Sequence, residues 1–528
     1  MSREGSVPQA RRFGDPRSVP LWLALPLAAI GGVVTAAAFP GLGWWPLVFL
    51  GTPLVLYSLA GRRVGGSLLV GVVAGFAFWG THIFWITVYL GLVPWLALAG
   101  LQAIFYGLGA VLISLAWRFG DRAFPGSVGQ LLVVPVVVAG LWTLREAVAA
   151  TWPYGGFSWG RLAFSQADSP LGSLAAWVGV SGLSFAIALV AALVVQVWRG
   201  QPDAGRRTIA PPRIRLLGPL IPVVLLVAML IAPAFPIVQS GSMRIAAVQG
   251  DSDAGLFAPY EPGEILGDHL AATEPLFGED VDLLVWPENA SDLDPLRSRE
   301  SAAVLDRVSA EMDAPVITGT ITVDGDEFFN SLLLWEGGVG AVDQYDKLHP
   351  VPFAEYLPDR DFWYPLAPDL LSLIPRNYSF GTRDNLFDIA GVQAGLAICF
   401  DIVDDALVRQ MIDGGAEIII APTNNADFGR TDESVQQLAI ARLRAIETGR
   451  SVVNTSTVGT SAIIAPDGQT IDRLPTFEPG SMLQDVPLST TTTPATVFGL
   501  GIERTVSAAG IVGLLLAGLL SWRRGRRG

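Results

Sequence analysis

Eight apolar stretches set the framework of this 528-residue chain. Seven of them precede residue 243, and the eighth lies close to the C-terminus. Each approaches the ~20 apolar residues that an α-helix needs to cross a bilayer. We therefore predict an α-helical membrane domain of about eight transmembrane helices, of which the second is the shortest and could be re-entrant. The stretches cover residues 21–39, 44–60, 67–90, 93–117, 130–150, 171–198, 216–235 and 505–522.

Charged residues are divided unevenly between the apolar stretches and the segment that they flank. Residues 243–500 contain 14 Lys and Arg against 41 Asp and Glu, whereas the rest of the chain contains 20 and 7. The hydrophobic fraction of 51% and the mean hydropathy of +0.47 are too high for one soluble domain. We therefore expect an acidic soluble domain within a basic frame that contacts the lipid bilayer. The acidity argues against nucleic acid as a partner, because nucleic-acid binding needs a basic face.

Arginines in the tails and in alternate loops predict the orientation of the membrane helices. With eight spans, all five arginine-containing segments lie on one face, and their positive charge assigns that face to the cytoplasm. Both termini are then cytoplasmic, and residues 243–500 lie on the outer face between helices seven and eight. The five segments contain Arg3, Arg11, Arg12 and Arg17; Arg62 and Arg63; Arg118 and Arg122; Arg199, Arg206, Arg207, Arg213 and Arg215; and Arg523, Arg524, Arg526 and Arg527.

The outer region alternates short apolar runs with amphipathic helical patterns. Such alternation is typical of an α/β domain with a buried sheet. The predicted helices cover residues 301–312, 402–413 and 434–448. The predicted strands cover residues 243–248, 282–286, 315–319, 331–335, 393–398, 417–421, 451–454 and 461–465.

Lysine and cysteine each occur once in the chain, at Lys347 and Cys399. A single retained lysine suggests chemistry that the planar, permanently charged guanidinium of arginine cannot do. Cys399 ends an apolar strand and precedes a helical pattern, so a helix N-terminus and Lys347 would lower the pKa of its thiol. Glu288 closes another apolar strand. An acid, an amine and a thiol can form a cysteine nucleophile with its base and its oxyanion stabiliser.

Each of these three residues also has an ordinary structural explanation. A buried cysteine can serve as a small hydrophobic residue, a carboxylate can simply end a strand, and a lone lysine is most often solvated. The three together favour an active site, because such sites gather at the carboxyl ends of strands in α/β sheets. We expect no metal or organic cofactor, since the chain has three histidines and no Cys/His metal spacing.

The sequence around these residues resembles the nitrilase, or carbon–nitrogen hydrolase, superfamily over most of residues 243–487. A domain of this kind between spans seven and eight resembles the apolipoprotein N-acyltransferase family. The resemblance implies an α-β-β-α sandwich at residues 243–488, after a transmembrane domain at 1–242 and before a linker, last span and basic tail at 489–528. The motifs are VWPE at 285–288, YDK at 345–347, VPFAEYLP at 351–358, ICFD at 398–401 and the helix at 436–450.

The same resemblance implies a role for each member of the triad. Cys399 corresponds to the nucleophile that carries an acyl chain as a thioester. Glu288 corresponds to the general base, first for the thiol and later for the incoming amine. Lys347 corresponds to the residue that stabilises the oxyanion, together with a backbone N–H group near Cys399.

Three further positions match residues that support the site in the family. Glu355 matches a second carboxylate that helps hold the site, and Phe400 and Asp401 match positions that shape the pocket beside the nucleophile. The chain departs from the family pattern at Asp427, where tryptophan is common, and at Gln437, where histidine is common.

The implied reaction moves a fatty acyl chain between two membrane-held partners. The donor is a phospholipid, and the acceptor is the α-amino group of the S-diacylglyceryl cysteine of an apolipoprotein. The implied location is the outer face of the bacterial cytoplasmic membrane. Two other functions stay open: a membrane-tethered amidase acting on a small amide would share the triad, and a non-catalytic lipoprotein-binding scaffold would not use it.

Residues 361–375 are unusually apolar for an exposed loop. We name this segment the arm. One hypothesis is that the arm dips into the lipid headgroups and gates the site. The alternative is that it packs on the core of its own domain.

Overall fold

The computed structural model describes residues 19–199, 218–252, 255, 261–374 and 376–526. Part of the predicted orientation therefore depends on arginines that lie outside the described residues. These are Arg3, Arg11, Arg12, Arg17, Arg206, Arg207, Arg213, Arg215 and Arg527. The first two residues of the predicted stretch 216–235 lie outside them as well.

The helices of the described chain fall into a membrane group before residue 239, a group in the outer region, and one long C-terminal helix. In chain order they are α1 Leu21–Ala36, α2 Val48–Ser58, α3 Val64–His82, α4 Ile86–Tyr89, α5 Leu92–Ala123, α6 Val134–Ala149, α7 Ala175–Arg199, α8 Leu220–Leu230, α9 Glu264–Thr273, α10 Arg299–Met312, α11 Arg360–Trp363, α12 Pro368–Leu371, α13 Asp405–Asp413, α14 Glu433–Thr448 and α15 Pro494–Gly525.

The described chain contains five helices that are long and apolar enough to cross a membrane. They cover Val64–His82, Leu92–Ala123, Gly129–Ala149, Pro170–Arg199 and Pro494–Gly525. Three shorter apolar helices cover Leu21–Ala36, Trp45–Ser58 and Leu220–Leu230. Several apolar membrane helices are thus confirmed, and their number, eight, stays a prediction.

One predicted apolar stretch is divided. Residues 67–90 fold as α3 and the short helix α4, with a break after His82. Hydropathy does not detect this break, because the residues on both sides of it are apolar. Trp85 and Tyr89 of this segment each pack edge-on against Phe428 of the outer region, at centroid distances of 5.1 and 5.2 Å. The break therefore lets the membrane domain contact the outer domain.

The C-terminal helix α15 returns to the membrane bundle. It packs against α5, α6 and α7. Its approach to α6 is backbone to backbone, since a Cβ atom on Gly140 would lie 2.3 Å from the carbonyl oxygen of Val506 and 3.1 Å from the Cα of Gly510. Glycine at both positions is what allows the two helices to come this close.

The outer domain contains two six-stranded sheets. The first has the order β12-β1-β2-β3-β4-β5 and the second β11-β10-β9-β8-β7-β6. In each sheet, two parallel pairings are flanked by antiparallel ones. The strands are β1 Gln239–Gln249, β2 Leu283–Val285, β3 Val316–Asp324, β4 Glu327–Glu336, β5 Gly340–Asp346, β6 Leu386–Ile389, β7 Val392–Leu396, β8 Ile418–Thr423, β9 Ser451–Ser456, β10 Ala462–Ile464, β11 Thr470–Arg473 and β12 Gly480–Ser489.

The two sheets pack face to face and enclose one core. Apolar side chains of both sheets meet there, among them Ile245, Val285, Ile398, Ile420 and Val453. Helices α9 and α10 cover the outer face of the first sheet, and α13 and α14 cover that of the second. The predicted α-β-β-α sandwich is therefore confirmed, as are the eight predicted strands and three predicted helices within it.

Helix α14 has protein on both of its sides. One side packs on β9 of the second sheet and the other on α7 of the membrane bundle. Gln436 lies at the centre of this contact. Its side-chain oxygen accepts hydrogen bonds from the indole nitrogens of Trp85 and Trp159, at 3.1 and 2.7 Å. The second sheet is thus the one that faces the membrane domain.

Candidate active site

The three predicted site residues each follow the end of a strand. Glu288 lies three residues after β2, Lys347 follows β5 directly, and Cys399 lies three residues after β7. The first two come from one sheet and the cysteine from the other. Glu288 and Lys347 are 5% and 1% exposed, so the structure brings an acid and an amine together out of water.

The Lys347 ammonium group lies between two carboxylates. Its Nζ atom is 3.0 Å from Oε2 of Glu355 and 3.9 Å from Oε1 of Glu288. Burial disfavours the charged form, but the negative charges of Glu355 and Glu288 outweigh it and raise the pKa of Lys347 above its ordinary value. Lys347 is therefore a permanent positive charge inside the site.

Asn330, on β4, joins the two carboxylates. Its side-chain nitrogen donates to Oε1 of Glu288 at 2.7 Å and to Oε1 of Glu355 at 2.9 Å. The other oxygen of Glu288 accepts the backbone N–H of Asn424 at 2.7 Å. Burial nevertheless raises the pKa of Glu288, more than Lys347 lowers it. Sequence reasoning missed Asn330, because an asparagine within a predicted strand gives no signal by itself.

Cys399 begins a short 3₁₀ helix, Cys399–Val403, with a backbone φ of +52°. A positive φ is uncommon for a residue with a side chain and is held only where the surroundings enforce it. Asp401 supplies part of that enforcement. Its carboxylate accepts the backbone N–H of Ile398 at 3.1 Å and the hydroxyl of Tyr345 at 2.9 Å.

The thiol does not have the lowered pKa that the sequence predicts. Burial and the negative charge of Glu288 raise the pKa of Cys399, and the opposing effect of Lys347 is smaller. The expected helix N-terminus is also displaced, since the 3₁₀ turn separates Cys399 from α13, which begins at Asp405. The thiol is therefore neutral at rest and needs a base to become a nucleophile.

Asp401 and Phe400 have different surroundings. Asp401 is buried, and burial raises its pKa to about 7. Phe400 instead points to the membrane domain, where its ring stacks on Phe157 at 5.9 Å and on Trp159 at 6.0 Å. The residue next to the thiol thus contacts the loop between α6 and α7.

A cavity of about 1060 Å³ lies beside this contact, between the two domains. Its wall includes Phe400 and Asp401, next to the thiol, and Tyr356, which belongs to the motif at residues 351–358. The membrane domain contributes Tyr154 and Ser158. The cavity is large enough for part of a lipid or of a peptide, and it reaches the turn that holds the nucleophile.

The described part of the arm, residues 361–374, includes most of α11 and all of α12. Phe362 and Leu366 are 62% and 66% exposed, whereas Leu371 is buried. The indole nitrogen of Trp363 donates to the hydroxyl of Tyr154 at 3.1 Å. That hydroxyl donates in turn to Asp359 at 2.6 Å. Trp363 therefore ties the arm to the membrane domain, while the side chains of Phe362 and Leu366 are largely exposed.

Two family models match the chain. The apolipoprotein N-acyltransferase N-terminal domain matches residues 31–193, and the carbon-nitrogen hydrolase domain matches residues 244–494. Together they cover the chain from the end of α1 into α7 and nearly all of the two-sheet sandwich, and α8 lies between the two matches.

Curated relatives match over nearly the whole chain. An apolipoprotein N-acyltransferase of Mycolicibacterium smegmatis is 34% identical, over 98% of this chain and 88% of its own length. One from Shewanella oneidensis is 28% identical, over 91% of this chain and 93% of its own length. Among solved structures, an amidase from Nesterenkonia sp. is 18% identical, with a TM-score of 0.37 over 49% of this chain and 95% of its own.

Proposed function

The chain belongs to the apolipoprotein N-acyltransferase family, and we propose that Glu288, Lys347 and Cys399 are its catalytic residues. It is an acyltransferase of a bacterial membrane, with a lipoprotein as acceptor. The observation that supports the assignment is the buried Lys347 ammonium, 3.9 Å from Glu288, beside a thiol whose turn stacks on the membrane domain.

The first half-reaction loads the cysteine. Glu288 takes the proton of the neutral Cys399 thiol as the sulfur attacks the ester carbonyl carbon of a phospholipid. The C–O bond then breaks, and the lyso-phospholipid leaves with the proton from Glu288. A base with a raised pKa suits this task, because it holds the proton long enough to return it to the leaving oxygen.

Lys347 stabilises the oxyanion that forms during both half-reactions. Its ammonium group has three N–H donors, and the two oxygens of Glu355 lie within hydrogen-bond distance, at 3.1 and 3.0 Å, whereas Glu288 lies further away, at 3.9 Å. The third donor is available for an oxyanion near the thiol. Asn330 and Glu355 keep the lysine fixed, so little reorganisation accompanies the reaction.

The second half-reaction unloads the cysteine. The α-amine of an S-diacylglyceryl cysteine attacks the thioester carbonyl carbon, the C–S bond breaks, and the sulfur regains a proton. The product is an N-acylated lipoprotein and free Cys399. Division into two steps replaces one difficult exchange of ester for amide.

We place the outer domain on the external face of the cytoplasmic membrane, with both termini in the cytoplasm. The division of the chain is 1–242, 243–488 and 489–528, as the sequence predicts. One contact at the basic ends supports this orientation: Arg524, near the end of α15, donates to the carbonyl of Arg122, near the end of α5, at 2.7 Å. Anchoring then confines enzyme and both substrates to one layer, which lowers the entropic cost of their encounter.

Mass spectrometry of the intact, purified protein tests the proposal. After incubation with phospholipid, we expect a fatty-acyl adduct on Cys399, and its loss when a diacylglyceryl-cysteine peptide is added and becomes N-acylated. The Cys399→Ala variant serves as the matched control and should acquire no adduct. A folded wild-type protein that forms neither adduct nor amide contradicts the proposal, and release of ammonia from small amides would indicate an amidase instead.

A further inference from the structure

Glu433 is a buried carboxyl group that the reaction above does not use. It is the first residue of α14 and is 3% exposed. Its Oε2 atom is buried without a hydrogen-bond partner among the described residues. The buried carboxylate of Asp401 also has one oxygen without a partner, but its other oxygen accepts the Tyr345 hydroxyl. Oε2 of Glu433 can therefore accept hydrogen bonds that none of the described residues donates.

The carboxyl group lies towards the reacting thiol. One turn further along α14, the Gln437 side chain accepts a hydrogen bond from the Thr423 hydroxyl at 3.1 Å, and the Thr423 side chain is close enough to the thiol to lower the pKa of Cys399. A negative charge on Glu433 would raise the pKa of the Cys399 thiol, and the charge of Glu288 raises the pKa of Glu433. Because Coulomb interactions weaken with distance, these two effects indicate that Glu433 lies near Cys399 and Glu288.

On its other side, Glu433 adjoins the membrane domain. A Cβ atom on Gly41, in the loop before α2, would lie 2.5 Å from the carboxylate of Asp432, so this loop lies against the start of α14. Gln436, on the next turn, is bonded to Trp85 and Trp159. A membrane-held acceptor that reaches the thiol from this side would meet Glu433.

Burial makes the charged form of this carboxyl group costly. It raises the pKa of Glu433 to about 8, with a further contribution from Glu288. The charge of Glu288 acts on the pKa of Glu433, and Asp432 is adjacent on the chain, so neither supplies a positive charge. The positive charge of Lys347 lies beside Glu355 and Glu288 instead. A cationic ligand would donate a hydrogen bond to the carboxyl group and would also compensate its negative charge.

The acceptor of the proposed reaction provides such a cation. An α-amino group has a pKa of about 8, so it arrives largely as an ammonium at neutral pH. It must lose one proton before its nitrogen can attack the thioester. A carboxyl group of similar pKa beside the thioester is suited to take that proton.

We propose that Glu433 binds the α-ammonium group of the lipoprotein acceptor next to the Cys399 thioester and takes one proton from it. This inference rests on the proposed function. The ammonium and the carboxylate become the neutral amine and the carboxylic acid. The amine nitrogen then forms the amide bond, the C–S bond breaks, and Glu288 moves the second N–H proton to the sulfur. Because burial keeps Glu433 protonated at neutral pH before the ligand arrives, its own proton passes to solvent as the ammonium binds, and the proton taken from the ammonium then restores the carboxylic acid.

The two half-reactions, measured separately, test this assignment. The full-length protein carrying Glu433→Gln should form the Cys399 thioester from phospholipid vesicles at the wild-type rate. Its transfer of the acyl chain to a synthetic diacylglyceryl-cysteine peptide should fall about 10²-fold at neutral pH. The matched control is Asp432→Asn, which removes the same charge from the adjacent, exposed residue and should leave both rates unchanged.

Two further readouts separate this role from a structural one. Hydroxylamine is uncharged at neutral pH, so it should cleave the thioester of Glu433→Gln as fast as that of wild type. The deficit with the peptide should narrow as the pH rises above about 8, where the amine is already neutral. Equal loss in both half-reactions, or slow cleavage by hydroxylamine, overturns the assignment, as does unchanged transfer to the peptide. A wild-type protein that forms no thioester instead contradicts the proposed function itself.

Discussion

The two sheets of the outer domain have the same internal order but face different surroundings. From β12 to β5 and from β6 to β11, the pairings run antiparallel, parallel, parallel, antiparallel, antiparallel. The first sheet supplies Glu288 and Lys347, and the second supplies Cys399. Among the described residues, α14, which covers the second sheet, packs against α7 of the membrane domain. The site therefore combines residues from two sheets that share one topology but have different surroundings.

The helices that cover the two sheets show what this difference requires. On α10, five of the 14 residues are buried, and they follow one stripe of three apolar residues and two serines, with no charged residue among them. On α14, twelve of the 16 residues are buried, including Glu433, Gln436 and Arg444. A helix covered on both sides must bury polar side chains, and each of these needs a partner or a ligand. On α14, Gln436 joins the two domains, and Glu433 lies towards the site.

The largest expected effect is the loss of stability on replacing Arg444 of α14, with an arginine of α10 as the control. Arg444 is buried; its guanidinium donates to the carbonyls of Ile402 and Val403 and pairs with Asp405 and Glu447, each at 2.6 Å. Arg444→Met leaves buried acceptors without donors and should lower the free energy of unfolding by about 3–5 kcal/mol. Thermal unfolding in detergent, followed by tryptophan fluorescence, measures this loss.

Arg307 on α10 provides the matched control. Its pair with Glu274 is about half exposed on both sides. Arg307→Met should change the free energy of unfolding by about 0.5 kcal/mol or less. Equal destabilisation by the two substitutions would mean that the membrane-facing side of the sandwich is no more dependent on polar contacts than the water-facing side.

The same contrast explains which strands could be predicted from the sequence. The eight predicted strands are the inner strands of the two sheets, and the four missed ones, β5, β6, β11 and β12, are the four edges. Inner strands are buried on both faces and appear as continuous apolar runs. Edge strands contain polar residues and can contain proline, such as Pro487 in β12. Proline is tolerated there because one side of an edge strand forms no backbone hydrogen bonds with a neighbouring strand.

A second prediction concerns the contribution of the first sheet to catalysis. Lys347→Arg keeps the charge but places a larger planar group between Glu288 and Glu355, so its donor no longer points to the oxyanion. Thioester formation should fall about 10²–10³-fold. Arg383→Lys, an exchange of the same two residue types at an exposed position near Asp346, should leave the rate unchanged. An active Lys347→Arg variant would show that a positive charge alone is sufficient.

A third prediction, with a smaller expected effect on thioester formation, concerns Asn330. Asn330→Asp preserves the shape of the side chain but replaces the donor shared by Glu288 and Glu355 with a third carboxyl group. Thioester formation should fall about 10–100-fold, the equivalent of one lost hydrogen bond to a charged group. Asn377→Asp is the control, because the exposed Asn377 uses only its oxygen, which accepts from Leu357, and aspartate retains it.

The site itself was only partly accessible to sequence reasoning. Rarity drew attention to Lys347 and Cys399, and strand ends drew attention to Glu288. Asn330 and Glu433 carried no such signal, because their importance depends on residues that are far away along the chain. The pKa of Cys399 was predicted in the wrong direction, since the sequence shows the nearby lysine and helix but does not show that desolvation and the charge of Glu288 outweigh them.

The smallest predicted effect concerns the arm, which follows β5 of the first sheet. Substitutions in the arm test whether this part of the domain contacts lipid. Phe362 and Leu366 of the arm are exposed, so neither supports the core of the domain. Replacing both with serine should slow transfer from phospholipid vesicles about fivefold, through the loss of about 1 kcal/mol of apolar contact with the bilayer. Transfer from a short-chain, water-soluble phospholipid should not change. Val339→Ser, at an exposed turn between β4 and β5, is the matched control. If vesicle and soluble donors respond alike, the arm acts within the protein, and the membrane contact belongs to the second sheet alone.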